Sequence, residues 1–364
     1  MRVLSVDEKA IIFLDSFEYI EYKHKKAIFE LCSSPKQIFE DERVITNYFQ
    51  SLGKLSVANT VLNALSDETL IEDTVKKSLR GATEVLTFVS DGYPEELKQT
   101  STPPLVLYLK GNANLLGKKK FAIVGARKTL PQYAKRAEDI SAELSASGVV
   151  IVTGIADGAD SAAIKGALKS GNIISVFAGE VGKVYPQSAN DLANKIVSGG
   201  GLIISEYPCG TIPKVYSYPV RNRIIAGLSV GALIVSGHLD SGTRYTAGYA
   251  LDYGKEVLCL PYGIGVSGGE ICNKLIKSGA TMVETASEIA DLISVELKKQ
   301  QESKVELSEK EKTLYKLIKS GFSSTDSLAE NSNMLIYEII STLGLLELKG
   351  LIVKDLSGSY SVRK

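Results

Sequence analysis

Four short stretches of the chain carry side chains that could grip an anion. In "FAIVGARKTLPQYAKR" (121–136), four apolar residues run into Gly125, then Ala126, Arg127 and Lys128, then an amphipathic helical pattern. A buried strand that ends in glycine and opens a helix offers backbone N–H groups to an anion. Arg127 adds a planar fork that suits phosphate bidentately; its competing role is a pair with a carboxylate on the sheet rim. In "TGIADGAD" (153–160), Gly154, Gly158 and Asp160 precede another helix, and glycines there let a ligand approach the backbone closely. Two roles are open to Asp160: capping the helix, or orienting a loop arginine. In "YPVRNRIIAGLS" (218–229), Arg221, Asn222 and Arg223 stand together just before a helix. Such a loop makes either a phosphate clamp or a salt-bridged structural turn. In "SGHLDSGTRYTAG" (236–248), Ser241, Gly242 and Thr243 begin a helix at the end of a strand, as an ordinary cap or as an anion site.

Several chemistries are excluded. No G-x-G-x-x-G follows "FAIV", and the second strand ends in Thr153 where a ribose-binding acid belongs, so a dinucleotide site is not expected. "GNANLLGKKK" has one residue too many between its glycines and Lys119 in place of the magnesium-binding hydroxyl of a P-loop. His24 and His238 are the only histidines, which leaves few candidates for acid–base work. Cys32, Cys209, Cys259 and Cys272 form no C-x-x-C pair, so neither zinc nor a disulfide framework is suggested. No cofactor and no metal are expected. Tyr185, Tyr207, Tyr216 and Tyr218 are candidate platforms for base stacking, with core or rim packing as their alternative role.

The elements that must position these residues follow from the apolar pattern. "KFAIVG", "GVVIVTG", "NIISVFAG", "GLIISEY", "GALIVSG" and "EVLCLPY" are mostly continuous apolar runs separated by helical segments. They predict parallel strands covered on both faces, in a doubly wound α/β sheet over 118–293. Ligands of such sheets bind at the strands' carboxyl ends, where all four stretches fall. Residues 1–82 read as a small helical domain and 83–117 as a lead-in segment packed on the sheet domain. The polar stretch 294–305 reads as a linker, and 306–364 as a winged helix. The third helix of that winged helix, Met334 to Leu348, holds no Lys or Arg, which argues against its usual role in the major groove. The 364 residues carry 42 basic and 42 acidic side chains, with a weak positive excess only in 118–293, 18 against 15. The amino-terminal stretch has acids within it and no long apolar core, so neither a signal peptide nor a membrane span is expected. The expectation is a soluble cytoplasmic protein.

In this order, "VGAR", "TGIADGAD", "VYPQSANDL", "GLIISEYPCG", "YPVRNRIIAGLS", "SGTRYTAGYA" and "NKLIKSGA" resemble the DNA-processing protein A family, also called Smf. The likeness runs from about residue 90 to 364. It implies an extended Rossmann-like fold that binds single-stranded DNA, forms a homodimer and loads the RecA recombinase during natural transformation, without catalysis. The family's phosphate-binding arginine falls on Arg127, its G-x-D loop on Gly154, Gly158 and Asp160, and its RNR loop on Arg221, Asn222 and Arg223. There are departures. Ala126 replaces the usual serine, Ile164 a frequent histidine, and Pro261-Tyr262 the usual Pro-Gly. Gln187 stands where some members place a DNA-binding lysine, with Lys183 and Lys195 as candidate substitutes. Two rival functions use the same fold: a nucleotide N-glycosidase working through Glu206 and Arg223, and a nucleotide-sensing protein.

Overall fold

The computed structural model describes residues 2–298, 307–355 and 358–362. Residues 1–298 and 299–364 form two compact units. Of the expected linker, residues 299–305 lie outside the described residues, whereas Val295 and Leu297 pack against the first unit's core and the Lys298 N–H donates to Ser147 Oγ.

The first unit opens with six helices: α1 (Val6–Asp15), α2 (Tyr22–Leu31), α3 (Gln37–Glu40), α4 (Arg43–Ser51), α5 (Leu55–Leu65) and α6 (Glu68–Ser78). Helix α1 starts where its sequence says it should: Ser5 and Glu8 form a reciprocal capping box. The buried side chains of these helices belong to the same hydrophobic cluster as those of the sheet. Then come β1 (Glu84–Thr87), α7 (Glu95–Lys98), β2 (Val106–Gly111), β3 (Lys120–Val124), α8 (Pro131–Ala146), β4 (Val150–Thr153), α9 (Ala159–Ala167), β5 (Ile173–Val176) and α10 (Gln187–Ser198). The unit closes with β6 (Leu202–Ser205), α11 (Ser217–Leu228), β7 (Gly231–Ile234), α12 (Thr243–Asp252), β8 (Glu256–Cys259), α13 (Glu270–Lys277), β9 (Thr281–Met282) and α14 (Ala286–Leu292).

One mixed sheet takes all nine strands, in the order β1-β2-β6-β5-β4-β3-β7-β8-β9. From β6 to β9 every pairing is parallel. Strands β3 to β7 are fully buried, which is why they read as unbroken apolar runs. The chain winds outward from β3 in one direction through β4, β5 and β6. It then returns to pair β7 with β3 and winds the other way. That reversal lies between β3 and β7, the place where open sheets of this kind leave a crevice. The expected lead-in is more than a packed segment, because β1 and β2 form a hairpin that extends the sheet antiparallel to β6. Its strands are short and flanked by Tyr93-Pro94 and Pro103-Pro104, and those breakers mask a sheet edge in the sequence.

The second unit holds α15 (Glu309–Lys319), α16 (Thr325–Ser332), α17 (Ile336–Leu348) and an antiparallel pair, β10 (Ile352–Lys354) and β11 (Tyr360–Val362). Its own small core gathers Leu314, Leu328, Ile339 and Leu343. Among the described residues no helix is long and apolar enough to cross a membrane.

Candidate nucleic-acid interface

The crevice at the switch point is a cleft of about 440 Å³. The loops after β3, β4 and β7 and the start of α11 converge on it. Gly125, Arg127, Asp160, Arg221, Asn222, Ser241, Gly242 and Thr243 line it, with Tyr185 and Tyr218. The four stretches singled out in the sequence thus meet in one place, although they are separated by up to about 120 residues.

Arg127 is exposed and, among the described residues, forms no ion pair. Its guanidinium lies over the half-buried Tyr218 ring, 5.6 Å from the centroid, a contact that stabilises the cation without neutralising it. Lys128 beside it is exposed but does not line the cleft. Opposite, Gly242 caps α12 without a side-chain hydrogen bond. Among the described residues the Gly242 and Thr243 N–H groups have no acceptor, as expected for the first turn of a helix. Ser241 Oγ is buried and lacks a partner. The Asn222 amide donates to the Gly242 carbonyl at 3.3 Å, tying α11 to this helix start.

The floor is built differently from the rim. Arg221 is buried and one terminal nitrogen donates to the Val176 carbonyl at the end of β5. Asp160, also buried, faces it across Gly154. A side chain on Gly154 would collide with Asp160 Oδ2 and lie 2.9 Å from both terminal nitrogens of Arg221. Burial pushes the Asp160 carboxyl up to about 6, against the opposing pull of Arg221, and burial also lowers the Arg221 guanidinium from its ordinary value. Desolvation therefore outweighs attraction for both groups. Of the two roles open to Asp160, the cap is excluded: Gly158 holds the cap position of α9, with no side-chain cap bond.

The glycines serve the protein rather than a ligand. Gly158 has φ +76°, and a Cβ there would collide with the Ala126 carbonyl and lie 2.5 Å from that of Arg127. A Cβ on Gly125 would lie 2.5 Å from Ala159 Cβ and 2.8 Å from Ser236 Oγ. The space expected for a ligand's approach is filled by neighbouring loops, packed tightly enough to fix where Arg127 emerges. The Ala126 N–H is likewise taken by Ser236, whose hydroxyl accepts it at 3.0 Å. The Ala126 N–H is therefore not open to an anion.

The RNR residues need a correction. They lie within α11, not in a loop before it. Successive helix residues turn by 100°, so Arg221 and Arg223 point to nearly opposite sides. Arg223 is buried and paired with Glu206, in the wall of a second cavity shared with Tyr22, Tyr207 and Tyr216. Two of the four candidate stacking tyrosines, Tyr207 and Tyr216, therefore lie away from the cleft. Lys183 is exposed and does not line the cleft. Gln187 opens α10 next to the cleft and donates to Asp191 at 3.1 Å. Ile164 is fully buried in α9, so its difference from a histidine is a matter of core packing. Sequence reasoning missed Asp157 and Ala189, which also line the cleft. Asp157 sits inside the quoted G-x-D loop, and its exposure is what the sequence does not signal. Among the described residues no group of three His, Cys, Asp or Glu could hold a metal ion.

Residues 84–294 match the sequence pattern of the family described as DNA recombination-mediator protein A. Over 204 residues the chain is 38% identical to the Smf protein of Escherichia coli K12, spanning 56% of this chain but only 54% of that protein. Over another 204-residue stretch it is 37% identical to the DNA processing protein DprA of Bacillus subtilis 168, spanning 55% of this chain and 68% of that one. Among solved structures, DNA processing protein A of Streptococcus pneumoniae superposes with a TM-score of 0.62 at 25% identity, covering 82% of this chain and 100% of that one. DNA processing protein A from Helicobacter pylori, described for its single-stranded DNA binding mode, gives 0.53 at 28% identity, covering 58% and 96%. The chain belongs to the DNA recombination-mediator protein A family.

Proposed function

We propose that this chain binds single-stranded DNA in the switch-point cleft and holds it without altering it, for delivery to a RecA recombinase during DNA processing and natural transformation. One observation carries the reading: an unpaired exposed Arg127, an exposed Tyr185, a half-buried Tyr218 and unsatisfied N–H groups of α12 share one cleft. Cations for the backbone beside aromatic faces for bases are what sequence-tolerant single-strand binding requires. Its phosphate contacts are Arg127, Asn222 and the Ser241-Gly242-Thr243 turn, with Lys128, Lys183 and Gln187 outside the cleft as second-rank contacts. Arg221 and Asp160 form the floor that holds β5 and α9 in place. The Helicobacter relative's single-strand binding supports the same role here. Family likeness also supports a Rossmann-like sheet domain over 118–293, a winged helix over 306–364, a homodimer and a cytoplasmic setting.

A nucleotide N-glycosidase acting through Glu206 and Arg223 has less support, because these two groups bond each other away from the cleft. The test is fluorescence anisotropy with labelled oligonucleotides of equal length, single- and double-stranded, with nucleoside monophosphates as competitors. Tighter single-strand binding that monophosphates fail to displace is the expected result. Displacement by monophosphate at comparable concentration would favour nucleotide sensing, and release of free base would favour the glycosidase.

A further inference from the structure

We propose that a basic trough on the outer faces of α8, α9 and α10 is a second single-strand subsite, along which DNA leaves the cleft; the proposal rests on the cleft reading. Leu192 of α10 lines both the cleft and the trough, so the two are continuous. The trough is lined by Lys135, Lys165, Lys169 and Lys195, against Glu138 as its one carboxylate. Lys165 lies one turn beyond Ser161 on α9, and Lys169 one turn further, just past the helix end. That spacing sets the two lysines on one stripe that starts at the cleft mouth and runs about 12 Å. Lys195 faces them from α10, two turns from Gln187.

The trough is prepared for a polyanion. The Glu138 carboxylate is nearly buried and holds the Lys165 and Lys169 amines at 2.9 and 3.6 Å, while those lysine side chains stay 72% and 58% exposed. The lysine ends of these pairs are exposed and each ammonium carries three donors, so a phosphate can bond the amines without displacing them from Glu138. Between them the floor is apolar, with Leu168 and Leu192, surface suited to sugars and bases. A strand held at Arg127 must leave the cleft, and this side offers it Lys165, Lys169 and Lys195 against Glu138, Lys135 being paired with Asp139 at 2.6 Å.

The experiment uses the full chain and its Lys165→Gln/Lys169→Gln/Lys195→Gln variant, with oligothymidylates of about 6 and about 20 nucleotides over a salt series. Glutamine keeps the stems and avoids setting new acids beside Glu138; matching circular dichroism and thermal melts show that the variant is folded. The expected result is unchanged affinity for the short strand within about twofold. For the long strand, about tenfold weaker binding is expected, with the slope of log affinity against log salt reduced by about 2, roughly 0.7 for each of three contacts. The single variant Lys195→Gln is expected to reduce that slope by about 0.7. Equal loss for both lengths, or no loss for either while the wild type binds, overturns the trough and leaves the cleft reading standing. A wild-type chain that binds neither strand overturns the cleft reading and the trough with it.

Discussion

At the scale of single residues, the cleft separates an exposed arginine without an ion pair among the described residues from a buried one that faces a carboxyl. Arg127 is exposed; Arg221 is buried, donates one terminal nitrogen to β5 and faces Asp160. Asp160 gives the site a pH dependence. Its folded value lies at about 6, above the ordinary 3.8. The folded chain therefore holds this proton longer than the unfolded one, so the stability it contributes is full below about 3.8 and is lost as pH rises through about 6. Protonation also removes one negative charge from the floor facing Arg221 and Arg127. Single-strand affinity is expected to rise about fivefold from pH 7.5 to 5.5, on the order of the ~1 kcal/mol of one screened charge. In Asp160→Asn that rise is expected to vanish; a profile that stays as steep in the variant would contradict this role. Arg127 was legible in the sequence because an arginine two residues past a strand-ending glycine has few places to go. The fate of Arg223 was not, because adjacency in sequence says nothing about helix phase until the helix is known to include it.

At the scale of elements, the site depends on how closely three loops approach one another. Gly154 and Gly158 have no room for a Cβ, and Gly158 needs a positive φ as well. Gly154→Ala would drive Asp160 and Arg221 apart, and Gly158→Ala would push the Arg127 loop away from α9. Each is expected to destabilise the chain by about 2 kcal/mol, within the usual range for overpacking and left-handed strain, and to weaken single-strand binding along with it. Thermal melts check the first part; an unchanged midpoint in either variant would show that the loops have slack. The six strands from β3 to β8 were legible because full burial of β3 to β7, and of all but the first residue of β8, leaves apolar runs. The β1–β2 hairpin and two-residue β9 were not. A short strand on the sheet's edge depends on its neighbours for pairing, and its own pattern is too brief to announce it. The glycine motifs were legible as motifs, but their physical purpose, loop against loop and not loop against ligand, needed the packing around them.

At the scale of the whole molecule, the proposed DNA binding belongs to residues 1–298 and not to the second unit. Helix α17 carries no Lys or Arg and exposes Ile336, Tyr337, Ile340, Leu345 and Leu348, a surface that would gain nothing from phosphates. A chain ending at Lys298 keeps Val295 and Leu297, which pack on the core. It is expected to fold and to bind single strands within about tenfold of the full chain, about 1.4 kcal/mol. A larger loss from a folded product of unchanged oligomeric state would return a DNA role to the second unit. The central claim, that the switch-point cleft holds a single strand through Arg127, is tested most directly by one salt series. It compares the full chain with Arg127→Glu on a short oligothymidylate, at matched circular dichroism. The account predicts at least tenfold weaker binding at low salt and a log–log salt slope reduced by about 0.7, one phosphate contact. A folded variant with the wild-type affinity and the wild-type slope would contradict it.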